Sequence, residues 1–231
     1  YVVQGLRDIG PAAWDAPLYG VADLHRVSAS KPIRQTSRYE WDRRKGRDHL
    51  LSWLEPIVEP LRMRPIFHRR RGITLGIVSR LTPIKQFPEM FGILAPIIAK
   101  HVDFRLEIFG AGGYASVRDL CQVTRRLGDR VHFWGLQRDI AAVYQQLDYL
   151  MTGLPEKEAL GLNVIEAQAC GTPVLGVKAP PFTETVLDGQ TGLLYTDPRL
   201  DQGLDFSRVL DELAQRRFRI VSNPDVTEHL A

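Results

Sequence analysis

The sequence predicts an open α/β fold, a parallel sheet flanked by helices, on three observations. From residue 73 to residue 177, short β-rich runs alternate with segments whose apolar residues recur at helical spacing. The connections between runs are long enough for crossover helices, which makes them right-handed and the sheet parallel. Residues able to do chemistry cluster just after the ends of the β-rich runs, where sheets of this kind bind ligands.

The elements follow in order. Residues 73–79 read as the first strand, and 88–100 carry apolar residues at helical spacing. Residues 104–109 are strand-like, 117–127 helical, 131–134 a strand, 140–147 a helix and 149–152 a strand. A loop carrying Glu158 then feeds a helix that starts near Gly161 and stops at Gly171, since glycine is the preferred left-handed residue past a helix end. Thr172-Pro173 forces an extended entry into a last strand over 174–177. Such a series is Rossmann-like. Asp188-Gly189 and Thr191-Gly192 read as turn chemistry.

The stretch from Glu158 to Val174, E-A-L-G-L-N-V-I-E-A-Q-A-C-G-T-P-V, carries most of the functional signal. Glu158 lies in the loop and Glu166, eight positions on, inside the helix. The helix start offers free backbone N–H groups at Leu162, Asn163 and Val164, an anion-binding arrangement. Carboxylates accept hydrogen bonds from sugar and ribose hydroxyls, so the layout suits a sugar-diphosphate-nucleoside. Arg80, residues 110–112, Trp134 and Glu158 all follow strand ends and are expected to converge on one edge. Arg80 and Lys85, around a strand-to-helix turn, supply a planar fork and a point charge.

These residues resemble a family. E-x7-E followed by A-x-A-x-G-T-P-V is similar to the donor-binding domain of retaining glycosyltransferases of GT-B architecture, the large family 4 group. Ser79-Arg80-Leu81-Thr82-Pro83-Ile84-Lys85 resembles its G-R-L-x-x-x-K segment, and Ile108-Phe109-Gly110-Ala111-Gly112 its strand and G-x-G turn. Val131-His132-Phe133-Trp134-Gly135 and Asp188-Gly189-Gln190-Thr191-Gly192-Leu193-Leu194 resemble two further segments, in the family's order. Ser79, Gln86 and the run Ala179-Pro180-Pro181-Phe182 differ from the pattern, the last in a region that often contacts the sugar.

The resemblance implies one half of a GT-B fold that binds a nucleoside-diphosphate sugar and transfers the sugar with retention. It implies catalytic roles for Arg80, Lys85 and Glu158, with Glu158 on the sugar hydroxyls and Glu166 on the ribose. Donor contacts would come from Gly110, Gly112, Trp134, Gly161, Leu162, Asn163, Val164 and Glu166. With cations in place, and no Asp-x-Asp in the chain, no metal and no cofactor are expected. Simpler structural readings stand beside these: Trp134 and His132 as core or strand residues, and Gly110 and Gly112 as turn glycines.

The 231 residues, 44% hydrophobic, can bury one ample core. The expected division is 1–71 as the remnant of an N-terminal domain or linker, 72–195 as the nucleotide-sugar domain, and 196–231 as a helical tail. Both ends read as fragment boundaries, with an N-terminal acceptor domain missing and residues 205–231 cut in mid-helix. Basic clusters in 40–47 and 62–71 read as solvated linker faces, with peripheral contact to acidic lipid as the functional option and no nucleic-acid motif. Residues 49–61 read as one helix interrupted at Pro56. A net charge of +3 is mild, and no run of about 18 apolar residues occurs. Cys121 and Cys170 lack metal-type spacing, which fits two thiols in the cytoplasm, where polysaccharide or glycolipid precursors are assembled.

Two other readings belong to the same residues: a catalytically silent nucleotide-binding or regulatory module, and a sugar-nucleotide 2-epimerase of GT-B fold. An NAD-dependent dehydrogenase fits poorly, because Gly110-Ala111-Gly112-Gly113 lacks the third spaced glycine. The base, the sugar and the acceptor leave no trace in residue identity.

Overall fold

A computed structural model describes residues 32–41, 46, 49–50, 52–54, 65–156, 158 and 161–215. Its centre is a six-stranded sheet of β1 (Ile73–Val78), β2 (Phe104–Phe109), β3 (Val131–Gly135), β4 (Tyr149–Met151), β5 (Val174–Val177) and β6 (Gly192–Tyr195). The strand order is β3-β2-β1-β4-β5-β6 and every pair is parallel. This is the doubly wound order, whose switch point lies between β1 and β4. β1, β4 and β5 are buried almost throughout because helices cover both faces, and their sequences are accordingly near-continuous apolar runs.

The crossovers are α1 (Phe87–Lys100), α2 (Tyr114–Thr124), α3 (Ile140–Tyr144), α4 (Leu162–Ala169) and α5 (Phe182–Thr185), and α6 (Pro198–Asp201) and α7 (Leu204–Gln215) follow β6. α1 buries Phe87, Met90, Phe91, Leu94, Ala95 and Ile98, the i, i+3, i+4 stripe that its spacing predicts. α7 turns Phe206, Val209, Leu210 and Leu213 inward in the same way, with Phe206 packed on Tyr195 of β6.

Three elements differ from the sequence expectation. The helix expected over 117–127 runs as α2 from Tyr114 to Thr124 and gives way to a 3-10 stretch, Arg125–Arg130, broken where Gly128 takes φ 59°. The helix expected over 140–147 is α helical only to Tyr144; tight turns from Gln146 N–H to Val143 O and Leu147 N–H to Tyr144 O, both 3.0 Å, then swing Leu147 toward the sheet. Leu147 fills the space left by Gly76 in β1, where any Cβ would overlap it. β6 was hidden among turn residues, yet it pairs with β5 over four positions.

Residues 32–41 and 65–70 are irregular and dock on the β2–β3 edge. Arg34 and Ile66 form an antiparallel bridge, Thr36 N–H donates to Trp134 O at 2.8 Å, and Ile33 and Phe67 join the core. Phe67 meets Trp134 edge-on at 5.2 Å. The reading of one helix over 49–61, the basic runs in 42–45 and 62–64, and the tail 216–231 lie wholly or largely outside the described residues.

Candidate functional site

The loops after β1, β2 and β3 and the start of α4 open on one cleft at the C-terminal edge of the sheet. Val78, Ser79 and Arg80, Phe109 and Gly110, Leu136 and Gln137, Ile140, Tyr144, Asn163 and Glu166 line it. Its volume is about 170 Å³, below the roughly 300–1,000 Å³ of pockets that enclose a ligand. Four predicted residues meet there: Arg80, Gly110, Asn163 and Glu166.

Each is held for a local reason. Arg80 leaves the end of β1 and is exposed, and its guanidinium has no partner among the described residues. Gly110 has φ 144°, and a side chain there would overlap the carbonyl oxygen of Ser79, so the β2 turn must be glycine to lie against the β1 end. Gly110 N–H donates to Gly135 O at 2.8 Å, tying the β2 and β3 ends together. Asn163 Nδ2 donates to Val78 O at 3.2 Å, which stitches α4 to the β1 end across the switch point.

α4 follows from its sequence at both ends. Gly161 enters with φ 69°, and Gly171 leaves with φ 79°. Past the helix, Gly171 N–H donates to Gln168 O at 2.9 Å and Thr172 N–H to Ala167 O at 2.8 Å, the Schellman pattern the C-G-T-P run predicts. Leu162 is half exposed at the first turn and Val164 is in the core. One expectation is corrected here: Val164 N–H is not free, because it donates to Gly161 O at 2.8 Å in a tightened first turn.

Glu166 is fixed from behind. Tyr144 Oη–H donates to Glu166 Oε2 at 3.0 Å, and Thr172 Oγ1 donates to Tyr144 O at 2.7 Å. Burial first, then the Glu166 charge, pushes the Tyr144 phenol far above its ordinary value, so the phenol stays a donor. Burial, then Glu166 and Asp139, likewise raises the Cys170 thiol.

Lys85 and Glu158 are not among the residues that line the cleft; they make an ion pair with each other, both partly buried. Lys85 ends the 3-10 turn Pro83–Lys85 and Glu158 lies in the segment between β4 and α4. That loop is anchored by Arg199, which pairs with Glu156, with Asp197 at 2.6 Å and with Glu89 at 3.6 Å. Gly112 is set apart by its contacts: its N–H donates to Arg38 O at 3.2 Å and its O accepts from Glu40 N–H at 2.8 Å. Trp134 lies in the core and not in the cleft. Its Nε1–H donates to Glu107 Oε2 at 2.6 Å and its ring stacks on Phe109 at 6.3 Å. A buried carboxylate needs such donors, and the His132 ring, 3.3 Å away, stands beside the same oxygen.

Sequence reasoning missed Tyr144 and the Leu136–Gln137 corner. The rule that ligands sit beyond strand ends would have named Leu136 and Gln137, which directly follow β3. Tyr144 carried a weaker signal, an aromatic one helical turn past Ile140. Among the described residues, no cluster of three or more His, Cys, Asp or Glu is placed to hold a metal ion. None of their helices is long and apolar enough to cross a membrane.

A doubly wound parallel sheet with a charged cleft at its switch point defines an open α/β ligand-binding domain. The chain belongs to the group 1 glycosyltransferases: residues 72–214 match the family described as "Glycosyl transferases group 1". It is 32% identical over 118 residues to the N-acetyl-alpha-D-glucosaminyl L-malate synthase of Bacillus anthracis, covering 51% of this chain and 30% of that enzyme. It is 31% identical over 166 residues to the D-inositol 3-phosphate glycosyltransferase of Stackebrandtia nassauensis, covering 65% of this chain and 36% of that enzyme. The chain therefore spans about a third of the length of these relatives. The crystal structure of Anabaena HepE in complex with UDP and glucose shares the fold, with TM-score 0.56 and 24% identity over 72% of this chain and 43% of that one. So does the C-terminal domain of the Francisella tularensis group 1 protein LpcC, with TM-score 0.53 and 23% identity over 65% of this chain and 81% of that one. The fold is one half of a GT-B glycosyltransferase.

Proposed function

We propose that this chain is the donor-binding half of a retaining glycosyltransferase that takes a sugar from a nucleoside-diphosphate sugar. The single observation that carries the reading is the switch-point cleft. It has Arg80, without a partner among the described residues, on the β1 side and Glu166, held by Tyr144, on the α4 side. A cation and a carboxylate on the walls of one cleft match a diphosphate joined to a ribose. Family membership and the UDP and glucose in the HepE complex support the same ligand class.

In the proposed reaction the bond from the anomeric carbon to the diphosphate oxygen breaks, and negative charge grows on the departing nucleoside diphosphate. Arg80 and Lys85 meet that charge, and fixed donors of this kind are worth about 3–4 kcal/mol of barrier each. Glu166 accepts from the ribose. Glu158 accepts from hydroxyls of the sugar once Lys85 turns from it to the phosphates. The acceptor hydroxyl then bonds to the anomeric carbon on the face the diphosphate left and gives its proton to the departing diphosphate. These cations do the work a divalent metal does elsewhere, so EDTA should leave donor binding unchanged.

The test is nucleotide affinity by calorimetry in Glu166→Ala and in the double variant Arg80→Ala, Lys85→Ala. Both should fold; Glu166→Ala should weaken nucleoside-diphosphate binding through the ribose alone, and the double variant should lose it. Full affinity in the folded double variant would overturn the phosphate assignment, and turnover that leaves an epimerised sugar still on the nucleotide, with none on an acceptor, would overturn transfer.

A further inference from the structure

Tyr144 is the one buried phenol in the cleft wall, and the proposed reaction gives it no part. It is 1% exposed, yet its hydroxyl reaches Glu166 Oε2 at 3.0 Å, and Glu166 Oε1 has no partner among the described residues. Its own backbone is pinned, because Thr172 Oγ1 donates to Tyr144 O at 2.7 Å beyond the far end of α4. Thr172 is 2% exposed, and the Schellman turn fixes its N–H on Ala167 O. Tyr144 is therefore tied to α4 twice, through its hydroxyl to Glu166 and through its carbonyl to Thr172 in the turn past the helix.

A carboxylate on a helix can rotate about its last bond, and a single long hydrogen bond from a ligand does not stop it. A phenol that donates to one oxygen sets the carboxylate plane and leaves the other oxygen as an open acceptor. We propose that Tyr144 is a positioning residue for Glu166, making the carboxylate select a nucleotide that carries ribose hydroxyls over one that lacks them. This rests on the donor-site reading above and deepens it: Tyr144 acts through Glu166 and touches no reacting atom.

The experiment uses the full chain and compares UDP, GDP and ADP with their 2′,3′-dideoxy counterparts by calorimetry. Tyr144→Phe keeps the ring and its packing and removes only the hydroxyl. The expected result is an affinity for the ribonucleotide lowered about tenfold, the scale of one charge-assisted hydrogen bond, with the dideoxynucleotide unchanged within about twofold. In a Glu166→Gln background, Tyr144→Phe should add nothing to the loss of ribose preference. Equal losses for both nucleotides, a loss that persists in the Glu166→Gln background, or no loss at all would overturn the inference. A wild-type chain that binds both nucleotides equally would overturn it at its premise while leaving the donor site standing. A wild-type chain that binds none of the ribonucleotides would instead overturn the donor-site reading.

Discussion

Lys85 and Glu158 are predicted to act on different parts of one ligand, and in the structure they neutralise each other. That pairing could not be read from the sequence, where they stand 73 positions apart. The charge of Arg80 and the carboxylate of Glu166 were legible, because the first follows a strand and the second lies eight positions past a loop acid. Tyr144 was not, since only the folded α3–α4 contact gives it a partner. Two buried phenols and two partly buried thiols make a residue-scale prediction about pH. Burial raises Cys121, Cys170, Tyr144 and Tyr195 above their ordinary values, which are about 8.5 for a thiol and 10 for a phenol. Their contribution to stability is whole below those values. Above them the unfolded chain gives up its protons first, so the folded state loses ground as pH rises. Urea midpoints should fall between pH 8 and pH 10.5, and a flat profile would contradict the burial. Glu166→Gln removes one cause of the raised Cys170 thiol, so iodoacetamide should label Cys170 faster at pH 8 in that variant.

At the scale of elements, the helix stop at Gly171 and the strand series were legible because glycine, proline and apolar spacing act locally. Gly171 has φ 79° with open space around it, so Gly171→Ala should cost only the left-handed backbone penalty of about 1 kcal/mol in urea unfolding. Gly110 differs in kind: its Cβ would overlap the Ser79 carbonyl, and Gly110→Ala should cost about 3 kcal/mol or more and close the β1–β2 end of the cleft. Equal costs at the two glycines would contradict that packing. What stayed hidden were elements set by tertiary contact. α3 stops at Tyr144 because Leu147 is drawn into the gap at Gly76, and β6 exists because β5 offers it an edge. Trp134 looked like a strand-end aromatic open to a ligand, and the docking of Phe67 with the buried Glu107 carboxylate makes it core.

For the whole molecule, sheet order and cleft position follow from strands alternating with crossovers, and both place the charged residues at the β1–β4 switch point. A cleft of about 170 Å³ at that point should bind a nucleotide. The most direct test of the central claim is thermal unfolding with UDP, GDP and ADP in turn, with and without EDTA. A ligand at about 100 times its dissociation constant adds about 2.7 kcal/mol of stability. Tm should rise with at least one of these nucleotides, by an amount unchanged by EDTA and absent in the Arg80→Ala, Lys85→Ala double variant. A cooperatively folded chain whose Tm moves with none of them would contradict that claim.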